Sequence, residues 1–349
     1  MSSIKDVAEK AGVSISTVSN VINGTKYVSD ELKYRVNKAI EEFKYEVDPV
    51  ARSLKSKKTM TIGVVITNIN RIFFPQVIKG IQDSAAKHEY SLTFFNTNDK
   101  LEDEKRFVQM LGNNWADGII LDSVADTDDK DYFEYLSALG NSKKRIPVVS
   151  LERRLDTYGI DSVVVNNFHG GSLAARHLLD CGCRKIVHIT GPLSSCIVRD
   201  RLNGYAEELK KAGLDMDKAG IMEGDFSPLS GYHAMKQLLL DGIDMDGVFA
   251  SNDQMAIGAI KAIRENGRMI PEEIKVVGFD NTFVASIVEP SLTTINLPKY
   301  KMGDQAVETL VKRIEQNPEN PYSIEIPINL IVRQSTDLRG DKNWDLYGW

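Results

Sequence analysis

Residues 4–24 read "IKDVAEKAGVSISTVSNVING", and the phase of their apolar residues decides the fold of the amino-terminal part of the chain. Ile4, Val7, Ala8 and Ala11 fall at i, i+3, i+4 and i+7, one face of a helix. Gly12 follows, a residue that enters the left-handed backbone of a tight turn at no steric cost. Helical spacing resumes at Val18, Val21 and Ile22, with Ser14 or Ser16 available as the N-cap. A third helix begins after Ser29 and carries Leu32, Val36, Ala39, Ile40 and Phe43. Two short helices across a glycine turn, closed by a third, predict a helix-turn-helix. In that unit the second helix enters the major groove and turns its first residues to the base edges. Here those residues are Ser14, Ile15, Ser16, Thr17, Ser19, Asn20 and Asn23. Their hydroxyl and amide groups suit base edges, and Ile15 suits a thymine methyl.

Charge supports a polyanion at this end alone. The chain of 349 residues carries 43 Lys+Arg against 49 Asp+Glu, a net charge of −6. Residues 1–58 hold eleven basic and eight acidic side chains, net +3, which leaves −9 for the remainder. A basic head on an acidic body places any nucleic acid on the head.

Between head and body lies "DPVARSLKSKK", residues 48–58. Asp48 and Pro49 make a helix start, cap then first-turn proline. The helix would run to Lys55, eight residues or about 12 Å, too short to be stable alone in water. Leu54 is an apolar side chain in a basic segment with nothing nearby in sequence to cover it.

From residue 60 short β-branched runs alternate with amphipathic helices. "TIGVVIT" (61–67), "SLTFFN" (91–96), "DGIIL" (117–121) and "PVVSL" (147–151) form one series of strands; "KIVHIT" (185–190), "GVFAS" (247–251) and "IKVVGF" (274–279) belong to a second. This alternation predicts two α/β lobes, each a parallel sheet covered by helices on both faces. Ligands of such sheets bind beyond the carboxyl ends of the strands, and a cleft between lobes suits a small molecule. The polar and aromatic residues at those ends are Phe73, Phe74, Glu152, Ser195, Arg199, Phe226, Asn252 and Asp280. Carboxylates accept from hydroxyls, a guanidinium donates in a fork, and aromatic rings cover an apolar sugar face. Asp253 and Asn281 read as caps.

The first stretch, followed by "ARSLKSKKTMTIGVVI", "VVVNNFHGGSLAARHLLDCGCRKIVHITGP", "RDRLNGY", "ASNDQMAIGAI" and "VVGFDNT", closely resembles the lactose/galactose-repressor family of bacterial transcription regulators. The resemblance covers nearly the whole chain. It implies an all-α helix-turn-helix head joined to a two-lobe, periplasmic-binding-protein-like effector domain. The implied boundaries are a head at 1–46, a hinge at 47–59 and an effector and dimerisation domain at 60–349. Within the last, the N-subdomain takes about 60–162 and 292–322, the C-subdomain about 163–291 and 323–340. In the family the segment matching 48–55 folds as a hinge helix on operator DNA, and the leucine matching Leu54 wedges between base steps in the minor groove. Ala51, Arg52 and Lys55 then join the DNA contacts. The resemblance places the main effector contacts on Arg199, Asn252 and Asp280, an aromatic contact on Phe226 and a carboxylate on Glu152, where many members have aspartate.

The expected function is a sequence-specific transcriptional regulator of carbohydrate-utilisation genes, a repressor gated by a sugar or sugar phosphate between the lobes. Effector closure of the cleft would alter the spacing of the two hinge segments in a dimer and decide whether the hinge helices form. The alternatives are control by a purine or nucleoside, control by a phosphorylated partner protein, and a sugar-binding transport protein. The charged, helix-patterned start is unlike a signal peptide and no apolar run spans a membrane, so a cytoplasmic protein is expected. The tail "DLRGDKNWDLYGW" has no leucine heptads, which favours a homodimer over a coiled-coil tetramer. Three cysteines without a CxxC pair give no disulfide framework or zinc site. No HExxH, GxGxxG, GxxxxGK[ST] or GxSxG is present, so neither catalysis nor a cofactor or metal is expected.

Overall fold

The structure, a computed structural model, describes residues 3–24, 26–45, 58–113, 115–126, 128–141, 145–214 and 220–344. It divides into two compact units, Met1–Thr59 and Met60–Trp349.

The first unit contains α1 (Ile4–Ala11), α2 (Ile15–Asn23) and α3 (Asp30–Phe43). Ser3 and Asp6 form a capping box at the start of α1. Gly12 ends α1 at φ 62°, and Ser14 caps α2 by accepting from Thr17 N at 3.1 Å. Val7, Ala8, Ala11, Val18, Val36 and Ala39 make the buried core, the apolar face read from the spacing. Arg35 of α3 donates to Ala11 O at 2.6 Å, tying the third helix to the turn.

The second unit is two six-stranded sheets. The first has the order β11-β5-β4-β3-β1-β2: β1 (Thr61–Ile66), β2 (Ser91–Asn96), β3 (Gly118–Asp122), β4 (Val148–Leu151), β5 (Asp161–Val164) and β11 (Ser323–Glu325). The second has the order β12-β10-β9-β8-β6-β7: β6 (Ile186–Thr190), β7 (Ile221–Glu223), β8 (Gly247–Ala250), β9 (Lys275–Asp280), β10 (Thr293–Asn296) and β12 (Asn329–Ile331). α4 (Phe74–Lys87), α5 (Leu101–Gly112), α6 (Lys130–Asn141) and α12 (Lys299–Gln316) cover the first sheet. α7 (Asn167–Asp180), α8 (Cys196–Lys211), α9 (Pro228–Leu240), α10 (Asp253–Glu265) and the short α11 (Phe283–Ile287) serve the second.

The chain crosses between lobes at 165–166, 297–298 and 326–328, which shifts three expected boundaries, the first because β5 pairs with β4 and keeps residues 163–164 in the first lobe. β10 pairs with β9 in the second sheet, so the return begins after residue 296 and not at 292. β11 pairs with β5 in the first sheet, so the last crossing follows residue 325 and not 322. The last crossing also explains a departure from the all-parallel expectation. β11 ends at the carboxyl edge facing the other lobe, so a three-residue connection enters the second sheet from that edge, and β12 runs antiparallel to β10.

α7 and α8 approach through paired glycines. A Cβ on Gly171 would lie 2.0 Å from Arg201 O, and one on Gly204 would lie 1.9 Å from Phe168 O. This contact fixes the height of α8 and, with it, the place of Arg201.

Candidate effector site and nucleic-acid interface

On the head, Ser14, Ile15 and Ser16 are exposed, Thr17 and Asn20 are half-buried, and Ile15 exposes 44% of its surface. The Ser14 hydroxyl lies 2.7 Å from Ser16 Oγ and 2.9 Å from Thr17 Oγ1, a compact row of hydroxyls at the start of α2. Ser19, expected to face outward, is buried, because it follows Val18 on the inner side of the helix. Ala51, Arg52, Leu54, Lys55 and the side chain of Asn23 lie outside the described residues.

At the facing carboxyl edges of the two sheets, Glu152 (φ 60°), Phe226 (φ 69°) and Asp280 (φ 101°) hold left-handed backbone, as do Asn98, Asp99 and Asn281. Non-glycine residues in this region are strained, and strain of this kind collects at ligand sites. Glu152 follows β4 in the first lobe; Phe226 follows β7 and Asp280 ends β9 in the second. Asn252, in contrast, caps α10 by accepting from Met255 N at 2.9 Å. Its amide donates to Phe226 O at 3.0 Å, so it positions the aromatic residue. Both its polar groups are thereby spent within the protein.

Arg199, expected at the effector, spends its donors within the protein, and Arg201, given no role from the sequence, holds the buried position. Arg199 donates twice to Asp126 (2.7 and 3.1 Å), and also to Leu193 O and Ser194 O. It ties the second lobe to the loop after β3 in the first. Arg201 is the buried cation: Nη1 donates to Ser251 O at 2.6 Å and Nε to Asn167 Oδ1 at 2.8 Å. Its guanidinium stacks 3.7 Å from the centre of the Phe279 ring and lies 3.7 Å from Glu152 and 3.9 Å from Asp280. The two arginines are two residues apart, about 200° around a helix, so only one can face inward. The phase was legible in Val198, Arg201, Gly204, Tyr205 and Glu208, all buried at helical spacing. His188, deep in the second lobe, meets Ser251 Oγ at 3.0 Å; burial lowers its pKa to about 3, so it braces this network as a neutral ring.

Across the cleft Arg71 donates to Thr67 Oγ1 at 2.8 Å and pairs with Asp99 at 2.6 Å. Its guanidinium lies 4.5 Å over the Phe226 ring, a cation–π contact between the lobes. Ile72 N donates to Gln254 Oε1 at 2.9 Å, a second bridge. Phe73 and Phe74 pack edge-to-face at 5.3 Å and are buried in the first lobe's core, because Phe74 opens α4 on its inner face. They support the Arg71 loop and do not line the cavity.

That cavity measures about 250 Å³ and is lined by Arg71, Asp122, Glu152, Arg153, Ser195 and Phe226, among others. Burial pushes the Glu152 pKa up to about 7, helped by the Asp122 carboxylate and opposed by Arg201. It raises that of Asp280 to about 8, with Asp253 and Glu152 adding and Arg201 opposing. Glu152 Oε1 and Arg153 Nε are buried without a hydrogen-bond partner in the protein, an acceptor and a donor on adjacent residues. Sequence reasoning missed Arg71, Arg153 and Arg201; adjacency to Glu152 marked Arg153, and helical phase marked Arg201. Among the described residues no cluster of His, Cys, Asp and Glu is arranged to hold a metal, and no helix is long and apolar enough to cross a membrane.

Comparison with known proteins agrees with both units. Residues 3–48 match the family model for bacterial regulatory proteins of the lacI family, and residues 175–336 match that for a periplasmic binding protein-like domain. The chain is 38% identical over 338 residues to the HTH-type transcriptional repressor PurR of Edwardsiella ictaluri, covering 96% of this chain and 97% of the relative. It is 36% identical over 344 residues to the ribose operon repressor of Halalkalibacterium halodurans, covering 98% and 99%. A solved structure of the lac repressor dimer bound to operator and the anti-inducer ONPF superposes with a TM-score of 0.86 at 30% identity, covering 96% of this chain and 99% of that one.

Proposed function

The chain belongs to the lacI family of bacterial regulatory proteins, DNA-binding transcriptional repressors that carry an effector domain and are not enzymes, and from that premise we propose that its effector is a carbohydrate. The observation that carries this reading is the pair Glu152 Oε1 and Arg153 Nε. Glu152 Oε1, which lies 3.7 Å from the Arg201 guanidinium, still lacks a hydrogen-bond partner in the protein, as does Arg153 Nε, and ligand hydroxyls, which both donate and accept, suit an acceptor and a donor on adjacent residues. Phe226 supplies the apolar face, with Arg71 fixing its ring. The likeness to a ribose operon repressor supports the same class.

The repressor acts in the cytoplasm as a homodimer on a pseudo-palindromic operator of carbohydrate-utilisation genes, with Ser14, Ile15, Ser16, Thr17 and Asn20 at base edges. The segment around Leu54 and Arg52 serves as the hinge in the minor groove. Effector binding changes the fit of the lobes, which Arg71–Phe226, Ile72–Gln254 and Arg199–Asp126 already bridge, and so changes hinge spacing. A purine effector is the second reading, favoured by the 38% identity to PurR.

Thermal-shift screening of the full chain against pentoses, hexoses, their phosphates, hypoxanthine and guanine separates the two. A shift with a carbohydrate and none with the bases is expected; a shift with the bases alone refutes the carbohydrate reading.

A further inference from the structure

Behind the cavity between the lobes stands a carboxylate that does not line it. Glu104, in the first turn of α5, is fully buried. Its Oε1 accepts from Ser123 Oγ and its Oε2 from Val124 N, both at 2.6 Å. Ser123 and Val124 follow β3 and line the cavity. We infer that Glu104 is a positioning residue of the effector site, which turns the Ser123 hydrogen away from the cavity so that the Ser123 oxygen accepts from a bound effector. The inference rests on the placement of the effector in this cavity, and it adds the residue that sets the hydrogen-bonding sense of one wall.

Hydrogens and lone pairs can be counted. A serine hydroxyl has one hydrogen and two lone pairs. The Ser123 hydrogen goes to Glu104, and one lone pair accepts from Ala125 N at 3.1 Å. Among the described residues nothing takes the second lone pair. An ionised carboxylate only accepts, whereas a protonated carboxyl must place a hydrogen. Val124 N cannot receive it, so it goes to Ser123 Oγ, and both lone pairs are then filled. Ser123 thereby changes from acceptor to donor without any movement of the chain.

The charge that decides this changes near neutral pH. Burial pushes the Glu104 pKa up to about 7, opposed by Ser123, Val124 N and the Tyr132 hydroxyl of α6 and helped by the Asp122 carboxylate at the end of β3. Tyr132 is itself faced by Tyr135 and Asp129, and the Lys105 ammonium lies 5.4 Å over its ring. Above that pH Ser123 accepts; below it Ser123 donates. The same loop continues to Asp126, whose pair with Arg199 at 2.7 Å joins the lobes, so wall and bridge share one support.

Isothermal titration of the full chain with D-ribose, and in parallel with hypoxanthine, compares wild type and Glu104→Gln at pH 5.5 and 8.5. The glutamine is neutral at both values, and its amide donates to Ser123 as the protonated carboxyl does. The variant is expected to bind about fivefold more weakly at pH 8.5, the loss of one neutral hydrogen bond, and to match wild type at pH 5.5. Glu152 and Asp280 titrate in both chains and cancel in the comparison. In a Ser123→Ala background the two chains are expected to match at both values. A ratio that does not change with pH, or one that changes without Ser123, overturns the inference. Binding of hypoxanthine alone removes the carbohydrate reading, and the same comparison with hypoxanthine then decides this one. Hydrogen exchange on the ligand-free chain supplies a measurement that needs no probe. Glu104→Ala is expected to speed exchange of the Val124 and Ala125 amides about tenfold; unchanged exchange overturns the hold of Glu104 on the wall.

Discussion

Arg201→Gln removes the cation at the centre of the site, and its consequences follow from the surroundings. The side chain is 3% exposed, donates to Ser251 O and Asn167 Oδ1, and faces Glu152 and Asp280 at under 4 Å. A hydrogen bond from a charged group contributes about 1.5–3 kcal/mol. Deleting one partner of a buried ion pair costs about 3–5 kcal/mol, because the remaining charge is stranded. The two quantities overlap, so the expected loss is about 3–5 kcal/mol where both carboxylates are ionised. It must depend on pH. Burial already holds Glu152 and Asp280 at about 7 and 8, and removing the guanidinium that opposes those shifts raises both further. A carboxyl whose folded pKa is raised stabilises the fold below its unfolded value and loses that contribution as pH rises through the folded one. The destabilisation is therefore small near pH 5, grows as pH rises through about 7 to 8 and is complete only above the raised values of the variant. Urea denaturation at pH 5.5 and 8.5 reads it as the shift in midpoint between wild type and variant. An equal shift at both values, or effector titration giving wild-type affinity for Arg201→Gln, refutes the central role of this residue.

Glu104 gives a second pH test. Burial pushes its pKa up to about 7 even though Ser123 Oγ and Val124 N donate to it, both at 2.6 Å. Stability is expected to fall by up to about 3 kcal/mol as pH rises from 4.5 past 7; Glu104→Gln should flatten that part of the profile, and an unchanged slope would count against it. Arg199→Ala should leave effector affinity within a few-fold, since its bonds go to Asp126 and main-chain carbonyls; a double-mutant cycle with Asp126→Ala should return a coupling near 1 kcal/mol. A hundredfold loss of effector affinity in Arg199→Ala would restore it to the site. Leu54→Ala should weaken binding to specific operator more than to random-sequence duplex, and gel-shift titrations showing equal losses would remove the wedge.

Much of this architecture was written in local periodicity. The apolar phase of residues 4–22, the glycine turn and the capping serine specify the head, because each is a contact within a few residues. The alternation of β-branched runs and amphipathic helices specifies α/β lobes for the same reason. The short strands β5, β10, β11 and β12, at or next to one edge of each sheet, were hidden, since three or four residues carry too little pattern and gain their strand character from a neighbour already in place. Candidate residues divide in the same way. Glu152, Ser195 and Phe226 line the cavity, and Asp280 faces Arg201 behind it. Phe74 went to the core and Asn252 to a helix cap, roles that any strand-end aromatic or amide can take.

The order of elements, the helix-turn-helix and the family were thus determined by the chain's own sequence, through spacing that acts over one or two turns. Only the tertiary structure decided which arginine of "RDR" is buried, where the chain crosses between lobes and that β12 runs antiparallel. Those outcomes depend on which surfaces meet across a hundred residues or more. A guanidinium is buried only where distant carbonyls and carboxylates arrive to receive it, and no local pattern records their arrival.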